Sequence, residues 1–141
     1  MAELSANAVQ LVNPGESIVF TEIPVPCRRG LVRFRPGSGN ILLAGAVPNG
    51  YSANFGANIS IPEGGTVEPI SVAFALDGST LPATQMIVTP AAVNEYFNVC
   101  RDTSVPVWRG CCETLTIRNT SSQTIQVQNA GVKIVPAGGC R

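Results

Sequence analysis

Glycine and proline are the feature of this sequence that most restricts its fold. Fourteen glycines and eleven prolines are spread along the 141 residues, and they separate short apolar segments from one another. No segment repeats apolar residues at the spacing of an amphipathic helix, whereas several alternate apolar and polar residues. This pattern predicts an all-β protein, an antiparallel two-sheet jelly-roll sandwich of about ten short strands.

The clearest strand signals lie at residues 31–35, at Ile70–Leu76 and at residues 113–118. In Ile70–Leu76 large apolar residues alternate with serine and alanine, which predicts one face in the core and a second face that is closely covered. Weaker signals predict strands at 9–12, 17–23, 40–44, 51–61, 84–89, 95–99, 105–108, 124–128 and 132–135. Gly56 lies inside one of these segments and predicts a β-bulge.

The predicted organisation is a single domain. We expect residues 1–8 to form a flexible N-terminal arm, because chain termini are often loosely held. The jelly roll is expected to span residues 9–136, and residues 137–141 are expected to form a short tail.

The sequence contains no histidine. This absence excludes Ser-His-Asp and Cys-His catalysis and the His-containing zinc motifs. Asp77 and Asp102 are isolated acids, and Lys133 is expected to be a surface residue rather than the base of a Ser-Lys pair. We therefore expect a protein that is not an enzyme and that has no catalytic residues, cofactor or metal.

The charge balance argues against a nucleic-acid partner. Nine basic and nine acidic residues give a net charge of zero, whereas binding to phosphate backbones depends on excess positive charge. Charged residues make up 13% of the chain, against about 25% in an average soluble domain. A low-charge surface favours an oligomer that hides part of itself, and the alternative is a monomer whose surface is rich in Ser, Thr, Asn and Gln.

Four arginines fall within eight residues, and they are candidates for an interface: Arg28, Arg29, Arg33 and Arg35. Arginine suits this role because its planar guanidinium pairs with carboxylates through two hydrogen bonds. The alternative is a solvated strand face with local salt bridges to Glu16 or Glu22.

Among the aromatic residues, Trp108 is the best candidate for an exposed anchor because it lies at a predicted strand end. Tyr51, Phe55, Tyr96 and Phe97 would line a trimer axis or a ligand groove, or else they belong to the core.

Five cysteines form an odd set without the CxxC spacing of zinc and redox motifs. Free thiols in a reducing compartment are one interpretation. The other is an inter-subunit disulfide, for which Cys27 and Cys140 are the candidates.

No basic segment followed by an apolar segment opens the chain, so we expect no signal peptide. No apolar run approaches the roughly 20 residues of a membrane helix, so we expect no membrane association.

Three segments carry a resemblance to known proteins. They are NPGESIVFTEIPVPCRRGLVRFRPGSG, YSANFGANISIPEGGTVEPISVAFALDGSTLP and VCRDTSVPVWRGCCETLTIRNTSSQTIQVQNAGVKIV. Their order resembles that of the TNF/C1q-like jelly roll. The chain also resembles small structural proteins of phages and prophages of Gram-positive gut bacteria, which carry such a domain as a capsid decoration, head-fibre or tail-tip module.

The resemblance implies a homotrimer with the closing strands near its axis, so Val127, Val132 and Ile134 become interface candidates. It also implies a virion protein, made in the bacterial host cytoplasm, whose partner is a major capsid protein or another virion component. Two alternatives stay open. One is a receptor- or glycan-binding tip domain that stacks Trp108 or Tyr51 on a cell-surface sugar. The other is a bacterial spore or surface-filament subunit cross-linked by cysteines.

Overall fold

A computed structural model describes residues 1–27, 31–44, 50–107 and 113–136. The predictions made for Arg28, Arg29, Trp108 and Cys140 concern residues outside these ranges.

The described residues form twelve strands and one short 3-10 helix, Pro82–Thr84, which precedes β9. The strands are β1 Ala2–Ala6, β2 Gln10–Val12, β3 Glu22–Val25, β4 Val32–Phe34, β5 Ile41–Leu43, β6 Tyr51–Ser60, β7 Ile70–Leu76, β8 Ser79–Thr80, β9 Met86–Val88, β10 Phe97–Val105, β11 Glu113–Asn119 and β12 Ile125–Pro136.

The strands make two antiparallel sheets that pack face to face. Sheet A has the order β10-β6-β12-β1-β3, with β2 also paired to β12. Sheet B has the order β4-β5-β11-β7-β8, with β9 also paired to β7. The predicted class, an all-β antiparallel two-sheet sandwich, is confirmed.

The core lies between the sheets because each strand turns every second side chain inward. Along β6 the inward residues include Tyr51, Phe55 and Ile59, each no more than 2% exposed. Across the gap, Phe55 of sheet A meets Phe74 of sheet B edge to face, with ring centroids 6.3 Å apart. This contact joins the middle of the two sheets.

Strand β7 has the predicted composition and burial. Its large residues face the core, and on the other face Ser71, Ala73 and Ala75 are buried as well. Gln85 contributes to that cover by donating a hydrogen bond to the Ser71 hydroxyl at 3.2 Å.

The structure corrects the prediction of a flexible N-terminal arm. Residues Ala2–Ala6 form β1, which lies between β12 and β3 in sheet A. Its inward residues Ala2, Leu4 and Ala6 are 2–3% exposed. The alternation of small apolar and polar residues over five positions is too short a signal to separate a buried strand from a loose end.

The second half of sheet A also differs from the prediction. The two strands expected at 95–99 and 105–108 are replaced by one strand, β10. The two expected at 124–128 and 132–135 are one twelve-residue strand, β12, with a bulge between Gln128 and Gly131. The bulge expected at Gly56 is absent from the β6–β10 ladder, which pairs without interruption from Tyr51 to Ile59.

Strand β3 includes Pro24, which lies just beyond the strand predicted at 17–23. Pro24 lies inside Glu22–Val25, whereas residues 17–21 make isolated bridges instead of the predicted strand. Proline is tolerated here because β3 is the last strand of sheet A, where no neighbouring strand needs the missing N–H.

Candidate interaction surface

The face of sheet A that points away from the core is a continuous surface that several strands build together. Pairing across β10, β6, β12 and β1 places its outward side chains in rows that cross the strands. Three rows differ sharply in chemistry, and each is described in turn.

The first row is rich in side-chain amides. We call its residues Asn58, Asn98, Asn129 and Gln128, together with Gln126 in the adjacent row, the amide patch. Asn98 donates to the Asn58 side-chain oxygen at 3.1 Å, and Asn58 donates to that of Asn129 at 3.3 Å. Asn129 has a positive φ of 54° within the bulge of β12, a backbone conformation that asparagine tolerates. The bulge therefore adds a third asparagine to the row.

The second row consists of small residues. Cys100 pairs with Gly56, Gly56 with Gly131, and Gly131 with Ser5, which makes a shallow glycine trough across four strands. A Cβ placed on Gly56 or Gly131 would have its nearest neighbour at 3.8 Å. Space is therefore available above both glycines.

The third row holds most of the charge on this face. Asp102 pairs with Asn54, Asn54 with Lys133, and Lys133 with Glu3. Opposite charges alternate along this row, so it has little net charge. The amide patch and the glycine trough lie together on one side of this charged row.

The interface residues predicted on β12 do not lie on this outer face. Val127, Val132 and Ile134 face the core and are 0–3% exposed, so their side chains cannot contact another subunit in the folded domain. The prediction took the apolar residues of the last strand for the contact surface, but the period of two turns those residues inward. The outward neighbours, such as Gln126, Gln128 and Lys133, are the ones available for contact.

The described arginines of the predicted group lie elsewhere. Arg33 and Arg35 are exposed on and just after β4, the edge strand of sheet B. The structure therefore does not bring them together with the outer face of sheet A, and their use as an interface stays a prediction. Arg28 and Arg29 lie outside the described residues.

Tyr51 is buried, which contradicts its proposed role in stacking on a sugar. Its hydroxyl is within hydrogen-bonding distance of the Leu31 carbonyl at 3.2 Å and the Ala44 carbonyl at 3.0 Å. Burial, helped by the nearby Cys27, raises the pKa of Tyr51. Phe55 is buried too, whereas Tyr96 and Phe97 are 37% and 38% exposed where β10 begins.

Two of the five cysteines, Cys27 and Cys100, lie within the described residues, and they occupy different settings. Cys27 is half-buried at an apolar depression of about 340 Å³ at the edge between the sheets, which also includes Ala2, Leu4 and Phe34. Cys100 is exposed in the glycine trough. Cys140 lies outside the described residues, so its disulfide with Cys27 stays a prediction.

A search of the described ranges finds no group of three or more His, Cys, Asp and Glu side chains that could hold a metal ion. Within the same ranges, no helix is both long enough and apolar enough to cross a membrane.

Comparison with known proteins defines the fold class. No protein-family model and no curated protein sequence matches the chain. Among solved structures, the globular domain of zebrafish complement 1qA is similar, with a TM-score of 0.60 at 10% identity over 92% of this chain and 93% of that one. The chain therefore has a C1q-like β-sandwich fold.

Weaker similarities extend to sugar-binding modules. The C-terminal domain of EclA, a sugar-binding protein, gives a TM-score of 0.44 at 13% identity over 92% of this chain and 79% of that domain. A family 35 carbohydrate-binding module from Clostridium thermocellum gives 0.42 at 8% identity over 89% and 97%. These two similarities are too distant to carry an argument about ligands.

Proposed function

We propose that the chain is a non-catalytic structural subunit of a phage particle that assembles as a homotrimer through the outer face of sheet A. The observation that carries the assembly is the amide patch beside the glycine trough. The assignment to a phage particle is supported by the resemblance of the chain to phage structural proteins described above.

The chemistry of the amide patch suits contact between identical subunits. Residues near a rotation axis meet copies of themselves, so a charged side chain there would face a like charge. An amide carries both donors and acceptors and can pair with another amide. The patch is built from amides, with Asn58 at its centre, and it fits this requirement.

The glycine trough and the β10 edge suit the rest of such a contact. Gly56 and Gly131 leave the sheet low enough for a neighbouring backbone or aromatic side chain to approach closely. Beside this face, Tyr96 and Phe97 are exposed at the start of β10, and aromatic residues are enriched at interfaces. A ring of three subunits uses two different surfaces, so the edge of one copy would meet the face of the next.

Native mass spectrometry of the full chain at micromolar concentration tests the assembly. A trimer is the expected species, and a stable monomer would contradict the proposal. Gly131→Arg is expected to give a monomer, because the new side chain rises from the trough into the space a neighbour would occupy. The control Thr80→Arg adds the same charge on the exposed strand β8 of sheet B and is expected to stay trimeric.

A second measurement tests whether the chain belongs to a phage particle. The full chain is expected to co-sediment with particles of the phage whose genome encodes it, through the major capsid protein or another virion component. Genes for a capsid, portal or tail protein are expected beside its own gene. Absence of both results would overturn this part of the proposal while leaving the trimer intact.

A further inference from the structure

One end of the sandwich holds a cleft that borders the amide patch, since its lining residue Leu11 pairs with Gln126. Strand β2, the β6–β7 loop and the β11–β12 turn meet there around an open depression of about 430 Å³, a volume within the usual range of small-molecule sites. The lining residues are Leu11, Pro62, Glu63, Gly64, Gly65, Thr66, Gln123 and Thr124.

Two features fix the shape of the β6–β7 loop. Gln123 clamps Thr66 from both sides, since its side-chain oxygen accepts from the Thr66 N–H at 2.9 Å and its amide donates to the Thr66 carbonyl at 2.6 Å. Gly65 leaves no room for a side chain, because a Cβ there would lie 2.5 Å from the Ile61 Cγ2 atom. The loop is therefore held in one conformation.

Buried Asn119 fixes the other two walls, the end of β2 and the β11–β12 turn. Its amide donates to the Val12 carbonyl at 2.8 Å and to the Gln123 carbonyl at 2.9 Å. Thr124 adds a hydrogen bond from its hydroxyl to the Asn13 side chain at 2.9 Å. All three walls of the cleft are preformed, and a preformed site loses little entropy on binding.

The walls carry a distinct chemistry. Leu11 is 63% exposed and, with Pro62, gives the cleft an apolar side. Glu63 supplies an exposed carboxylate, and Thr66 supplies a hydroxyl. The lining contains no arginine or lysine among the described residues, so it does not favour an anion.

We propose that this cleft binds a neutral, hydroxyl-rich ligand of about the size of one sugar ring. Hydroxyl groups would donate to the Glu63 carboxylate, a charge-assisted hydrogen bond of the stronger kind. The C–H face of the ring would lie against Leu11 and Pro62. One chain supplies every lining residue, so the site needs no residue of a second subunit.

The test is NMR titration of the isotope-labelled full chain with methyl glycosides of glucose, galactose, mannose and N-acetylglucosamine. Saturable amide shifts centred on Gly64, Gly65 and Gln123 are expected with at least one of them. No saturable shift with any glycoside, or shifts that map to another surface, would overturn the proposal. So would tighter binding of arginine methyl ester in the cleft, since that result would identify a cation site.

Variants with exposed side chains keep the test clear of misfolding. Glu63→Gln is expected to weaken binding roughly tenfold, because it removes the charge from the hydrogen bond. Leu11→Ser removes the apolar wall and is expected to weaken it as well. The matched control Glu68→Gln alters a carboxylate outside the lining, which accepts from Ser122, and is expected to leave the affinity unchanged. Equal affinities for the Glu63 and Glu68 variants would contradict the assignment.

Discussion

Replacement of Asn119 by alanine is expected to lower the free energy of unfolding by about 2–4 kcal/mol. Asn119 is 1% exposed, and its side chain makes three hydrogen bonds. Its amide donates to Val12 at 2.8 Å and to Gln123 at 2.9 Å, and its oxygen accepts from the Ser121 N–H at 2.8 Å. Each such bond contributes about 1 kcal/mol, and the buried Val12 carbonyl would add the cost of losing its partner.

Urea denaturation at one fixed protein concentration, followed by circular dichroism, measures this loss. The midpoint is expected to fall while the slope stays unchanged, because the same surface unfolds in both proteins. Asn40→Ala is the control, since Asn40 is exposed, and surface substitutions usually change stability by less than about 0.5 kcal/mol. A loss below about 1 kcal/mol in the Asn119 variant would refute the reasoning, because it would mean that water replaces the amide in full.

Three further predictions concern the strands and their turns. Leu4→Ala is expected to cost about 2–5 kcal/mol in urea denaturation, because Leu4 is 2% exposed, whereas a loose arm would lose nothing. Gly65→Ala is expected to cost about 1–3 kcal/mol and Gly131→Ala much less, because an added Cβ meets atoms at 2.5 Å in the first and at 3.8 Å in the second. Hydrogen bonds to Glu113 and to the Thr114 N–H lower the pKa of Asp77. The bond from the Thr114 N–H to the Asp77 carboxylate, 2.8 Å long, stabilises the fold fully above about pH 4 and is lost as the pH falls through the lowered value. Urea midpoints of Asp77→Asn measured against pH are expected to show a shallower acid loss than the unchanged protein, and parallel curves would contradict this assignment.

Turn residues and alternation predict the central strands of this fold well. Strands β7 and β11 occupy the segments where the sequence predicts them, and β7 is covered on both faces as its composition predicts. The Asp77-Gly78 turn between β7 and β8 has the positive φ angles of 50° and 86° that this dipeptide allows. Such signals are local, so they survive without knowledge of the neighbouring strands.

Features that depend on strand pairing could not be predicted from the sequence. The sequence predicts two short strands in place of β10, because the middle of this segment is polar on both faces. Continuous pairing with β6 holds it as one strand. The two halves of β12 are joined through a bulge that only the pairing with β6 reveals. The orientation of Val127 and Val132 was missed for the same reason, since a period of two does not say which face meets the second sheet.

The cleft was missed because its walls come from three distant segments. The exposed leucine at position 11 gave no signal by itself, since single exposed apolar residues are common. Gln123 and Thr66 are 57 residues apart, and their clamp is visible only when the turns are folded together. The glycines of the β6–β7 loop predict a turn, but the sequence alone does not show that this turn is rigid.

The two proposed surfaces make a joint prediction, because an oligomer changes how weak sites act. In a trimer whose axis runs along the strands of sheet A, the three clefts lie at the same end of the assembly. Binding of three linked sites to a sugar-coated surface exceeds that of a single site by roughly 10²–10⁴-fold. Monomeric Gly131→Arg is therefore expected to bind a soluble methyl glycoside as well as the unchanged protein does, and to lose most of its retention on a glycoside-coated surface. Loss of soluble binding would instead show that the cleft depends on the trimer. Equal retention on the surface would show that the three clefts do not act together, even though each one binds sugar.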